Sequence, residues 1–168
     1  LGEMGVAFFD DINDPTVTMT KHPTPVLSLP GGGWGGPVWH HNGRFHTIVP
    51  GTQGADFPYD WQVWRSTVES AGAAGLTGAW EKLTDMTFDL PGVGESMYVE
   101  VRLVHRIGIE FYCFGTLREM DHDEGATYGI RTQHIAVCAS SGLATWRPIP
   151  DTPLVFATTI EGLGTGYA

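Results

Sequence analysis

Two stretches decide how this chain is read: LPGGGWGGPVWHHNGRFHTIVPGT, Leu29 to Thr52, and LPGVGESMYVEVRLVHRIGIEFYCFGT, Leu90 to Thr116. Each runs from Leu-Pro-Gly through an apolar strand to a His-containing turn around a glycine, Gly43 in the first and Gly108 in the second. A second apolar strand comes next and ends in Gly-Thr. Self-similarity at a long, fixed shift is the mark of a repeat architecture. The registers align only with small gaps, so the likeness is one of structure more than of identity.

The segments downstream of the two stretches match as well. After the first comes DWQVWRSTVESAGAAGLTGAWEKL, Asp60 to Leu83, and after the second YGIRTQHIAVCASSGLATWRPI, Tyr128 to Ile149. Both hold a strand, a small-residue turn with Gly-Leu (Gly75-Leu76, Gly142-Leu143) and then a tryptophan, Trp80 or Trp146. Val, Ile, Phe and Tyr alternate or run briefly between Gly, Pro, Asn and Asp, which is strand patterning. Asn42-Gly43 between two apolar runs is a hairpin signal, because both residues tolerate positive φ. Residues 66 to 75 suit either a short helix or a long turn.

Four strands per repeat closed by an aromatic is how the blades of a β-propeller are built. The expected class is therefore all-β, a β-propeller with about two complete blades and two partial ones in a single domain. Residues 1–28 end one blade, 29–85 and 86–151 form the two complete ones, and 152–168 start the next. A β-sandwich whose halves are alike by accident is the competing architecture.

Composition limits the partners. The chain has 168 residues, is 42% hydrophobic, and carries nineteen acidic against nine basic side chains for a net charge of −10. An acidic surface repels phosphate backbones and anionic lipid, so neither nucleic acid nor a membrane is expected as a partner. A neutral sugar is compatible with it. No apolar run is long enough to cross a bilayer as a helix. Cys113 and Cys138 both lie in apolar runs, which suits buried free thiols or a disulfide between neighbouring strands.

The blade pattern resembles the five-bladed glycoside hydrolases, the invertase and fructosidase and the arabinanase and xylosidase families. The residues that carry the likeness are Gly36-Pro37-Val38, Asn42-Gly43-Arg44-Phe45, Val49-Pro50-Gly51, Ala136 to Ser140, Leu143 and Trp146. These are scaffold features, and scaffold leaves the reaction largely open. Five blades need about 300 residues at this repeat length. The resemblance therefore implies a chain that supplies part of a propeller, completed by further blades or by self-association.

In those hydrolases, carboxylates at the starts of inner strands face the channel mouth. One carboxyl must be protonated to assist the leaving oxygen while another is ionised on the opposite face of the sugar. The resemblance places Glu100 at such a position, inside the apolar run Met97 to Leu103, although neither the Arg-Asp-Pro nor the Glu-x-Pro motif of the families is intact. Glu161 is the alternative acid. A paired carboxylate without a catalytic role is the bland alternative for Glu100.

Trp34, between glycines at a rim, suits stacking on a sugar ring and equally suits burial. Tyr98, Arg102, Arg118 and Asp121 complete the expected substrate contacts. The polar loop Arg118 to Gly125 has carboxylates at 121, 123 and 124 but no calcium-loop spacing, so it reads as a solvated loop. Histidines 40 and 41 alternate to opposite faces of a strand, which argues against a zinc cluster with His46. No metal or cofactor is expected. The Asn13-Asp14-Pro15 triplet looks like a nucleophile motif, but its setting resembles the outer end of a blade.

Overall fold

A computed structural model describes residues 2–8, 13, 16, 18–29, 35–51, 61–89, 97–121, 129–149 and 155–156, with the backbone alone at 97–100, 117–121, 129–136 and 155–156. The described chain is mostly β-strand, arranged in several antiparallel sheets, none of them closed into a barrel. The chain forms two compact units: Leu1–Thr52 with Asp60–Thr84, and Gln53–Tyr59 with Asp85–Ala168.

In the first unit, β1 (Gly2–Met4) pairs with β4 (Leu27–Leu29), and β2 (Ala7–Phe8) pairs with β3 (Thr20–Lys21), both antiparallel. The main sheet takes β5 (Val38–His41), β6 (Arg44–Pro50), β7 (Trp61–Ser66) and β8 (Trp80–Asp85) in sequence order. The β5–β6 turn is Asn42-Gly43, with φ of +47° and +75°, the type I′ geometry that Asn-Gly favours. Leu27, Leu29 and Val49 form a buried cluster in this unit, with Met4, Val26, Trp64 and Trp80 packed against it. One face of β6 and β7 thus rests on the β1–β4 ribbon, as alternation along each strand requires.

The second unit repeats the plan. Here β10 (Met97–Ile107), β11 (Glu110–Asp121), β12 (Gly129–Ser140) and β13 (Thr145–Pro148) again succeed one another across a sheet. β9 (Thr87–Phe88) joins β13 in parallel, and β14 (Val155–Phe156) pairs with β12. The β10–β11 turn is Gly108-Ile109, with positive φ at Gly108 only, which is the type II′ pattern.

The corner before the last strand is built the same way in both sheets. Between β7 and β8, Trp80 Nε1 donates to the Leu76 carbonyl at 3.2 Å; between β12 and β13, Trp146 Nε1 donates to the Leu143 carbonyl at 2.8 Å. A serine ends the preceding strand in each case, Ser66 or Ser140, and both are buried. Ser140 Oγ accepts from the backbone N–H of Leu143, holding that residue at φ +69°. The longer first corner contains α1 (Ala73–Thr77), so residues 67–72 form bends that lead into one helical turn.

Candidate functional site

β10 and β11 carry most of the residues singled out for a site. Their register sets Glu100 directly opposite Thr116 and Tyr98 directly opposite Arg118. Tyr98 and Glu100 are two residues apart along β10, so the backbone sets Tyr98–Arg118 and Glu100–Thr116 as two cross-strand pairs on either side of Val99–Leu117. Asp121 ends β11 and pairs with Gly129 of β12.

The register shifts beside this group. Val101 pairs with Gly115 and Leu103 with Phe114, which leaves Arg102 as the extra residue of a β-bulge. Arg102 is exposed. A bulge sharpens the local twist and re-aims a side chain, and bulges recur next to binding sites. β12 carries a second irregularity, since Glu119 pairs with Thr132 and Met120 with Ile130. The two shifts bracket the Tyr98–Arg118 pair along the hairpin.

Of the expected contacts, Trp34 and Glu161 lie outside the described residues, as do His122, Asp123 and Glu124 of the polar loop and the Asp14-Pro15 pair. Glu100, Tyr98, Arg118 and Asp121 are placed by backbone position. The Arg102 bulge and the position of Thr116 were missed in the sequence. The bulge does leave a trace: Val101 and Val104 are both buried although three residues apart, which uninterrupted alternation forbids.

A separate ring cluster stands on the β5–β6 hairpin. His46 stacks on Trp39 with ring centroids 5.5 Å apart and approaches His41 at 5.8 Å. Burial holds His46 down to about 4, against the backbone hydrogen bond that its Nδ1 shares with the Arg44 carbonyl. His40 instead lies edge-on to Phe45. Among the described residues, no three His, Cys, Asp or Glu side chains are grouped to hold a metal ion, and no helix is long and apolar enough to cross a membrane. Comparison with protein-family models, curated proteins and solved structures finds no match.

Proposed function

We propose that the chain is part of a propeller-type, glycoside hydrolase-like protein that engages a furanoside or pyranoside beside Glu100. The observation that carries this reading is the cross-strand grouping of Tyr98, Glu100 and Arg118 next to the Arg102 bulge. Such a group offers what a neutral polyol needs. A carboxylate accepts from hydroxyls, a guanidinium donates to ring and hydroxyl oxygens, and an aromatic provides a flat apolar surface. In this role Glu100 is the channel-mouth carboxylate, with Trp34 and Asp121 as rim contacts.

The propeller reading is supported by the same four-strand order and the same Trp-to-Leu corner appearing twice. Stacking is supported by a difference between the sheets. Counted from their turns, Ile48 and Phe114 occupy the same place. Ile48 is fully buried opposite Val63, whereas Phe114 is 37% exposed, with Leu103 beside it at 51%. That open face suits another sheet of the same build, supplied by a second copy of the chain.

A non-catalytic carbohydrate-binding module is the second reading. It is favoured because glycoside hydrolysis needs two carboxyl groups flanking one bond, and the paired positions Tyr98–Arg118 and Glu100–Thr116 carry one carboxylate between them. One pair of measurements separates the two. The chain is assayed for turnover of a panel of aryl glycosides and, by calorimetry, for binding of the parent sugars. Under the first reading, Glu100→Gln lowers turnover at least 100-fold, roughly the contribution of one general acid–base group, while the far-UV spectrum is unchanged. Binding without turnover in the parent chain establishes the module instead. Undiminished turnover in the variant removes Glu100 from the site.

A further inference from the structure

Cys113 and Cys138 stand directly opposite each other on β11 and β12, the two central strands of the second unit. Both are fully buried and both are free. The neighbouring Cys138 side chain and burial push the Cys113 thiol up, which keeps it protonated in the closed sheet. In the first sheet, the same two positions counted from the turn are Thr47 and Trp64. The sheet plan therefore does not require thiols here; the second unit alone has them.

The strand geometry also fixes the kind of pair. The two-residue turn makes Ile107 and Glu110 a hydrogen-bonded pair, and alternation along β11 then turns the backbone groups of Cys113 toward β12. On the other side, the Val137 carbonyl accepts from Ile149, so its neighbour Cys138 presents its backbone to β11. Cys113–Cys138 is thus a hydrogen-bonded pair, the wider kind, with Cα atoms about 5.5 Å apart. A disulfide draws its Cβ atoms to about 3.8 Å, closer than such a pair holds them. The bond is within reach of the backbone but forms under strain, and strained disulfides are the readily reduced ones.

We propose that Cys113 and Cys138 are a reversible thiol–disulfide site that takes a low-molecular-weight disulfide as co-substrate. One cysteine thiolate attacks the small disulfide and displaces one small thiolate. The second cysteine thiolate then attacks the protein sulfur of the mixed disulfide and displaces the other. Two protons leave the protein, and two electrons pass to the small disulfide. Because both sulfurs are buried, each exchange proceeds through opening of the β11–β12 ladder, and the product is a staple across the two central strands.

The test equilibrates the chain with glutathione buffers of graded ratio, with and without urea at an unfolding concentration. Acid quench, alkylation and intact mass then give the fraction oxidised. The expected result is an intramolecular disulfide whose effective thiol concentration in the native state exceeds that of the unfolded chain at least tenfold, reversed by dithiothreitol without denaturant. An effective concentration equal to or below the unfolded value overturns the proposal, as does a purely intermolecular product. Unfolding of the oxidised and reduced forms gives a second reading of the same coupling, which needs no cysteine variant. Equal midpoints for the two forms overturn the proposal as well.

Discussion

His46 is a buried imidazole stacked on Trp39, and burial keeps it neutral down to about pH 4. The neighbouring groups His41 and Arg65, and His40 from the opposite face of the hairpin, all lower its affinity for a proton further. The unfolded chain protonates this histidine near 6.5. Between those values the unfolded state therefore binds a proton that the native state refuses. Stability is full above about 6.5 and falls as the pH drops toward 4, by roughly 3 kcal/mol in all. Urea unfolding at pH 7 and pH 4.5 measures the difference, and His46→Gln is expected to flatten it. A slope unchanged in the variant assigns the effect to other groups. Little of this was legible in the sequence. Alternation separates His40 from His41, as expected, but nothing in the letters says that His46 is the buried one. That depends on which face of β6 is covered.

The hairpins were the clearest elements in the sequence, because their turns are written in two residues. Asn42-Gly43 gives the type I′ turn directly, while Gly108-Ile109 gives type II′ with one glycine, at the first central position. The glycines need positive φ in both turns, but their surroundings differ. A Cβ on Gly43 meets Glu69 Cγ at 2.8 Å, whereas one on Gly108 meets nothing within 4 Å. Gly108→Ala is expected to cost about 1 kcal/mol, the backbone term alone. Gly43→Ala is expected to cost more, about 2 kcal/mol, as Glu69 is displaced as well. Chemical denaturation of the two variants checks the order, and equal losses show that Glu69 moves aside freely. The bulge at Arg102 was not legible in the same way. Its cause is a register shift between strands, and one strand read alone shows only a break in alternation.

At the scale of the molecule, the repeat was legible because it rests on residue types that return at matching positions, although Ser66 Oγ donates to the Val68 carbonyl whereas Ser140 Oγ accepts from the Gly142 and Leu143 N–H groups. Ser66 and Ser140, Leu76 and Leu143, and Trp80 and Trp146 occupy the same places in two corners. How many such sheets assemble was not legible, since that depends on what covers a face and not on what lies within one sheet. The open face around Leu103 and Phe114 makes this measurable. The chain is expected to self-associate as its concentration rises, and Phe114→Glu to shift it toward monomer with the fold retained, both by sedimentation equilibrium. Association undiminished in the variant places the contact elsewhere. The corners carry a consequence of another kind. Thirteen residues lie between Ser66 and Trp80, while five lie between Ser140 and Trp146, yet each tryptophan reaches the carbonyl of the corresponding leucine. The corner tolerates added length because the indole clamp fixes its exit whatever lies between. It is the natural splice point of this architecture: a place where segments can be lengthened, trimmed or exchanged between units without disturbing the strands on either side.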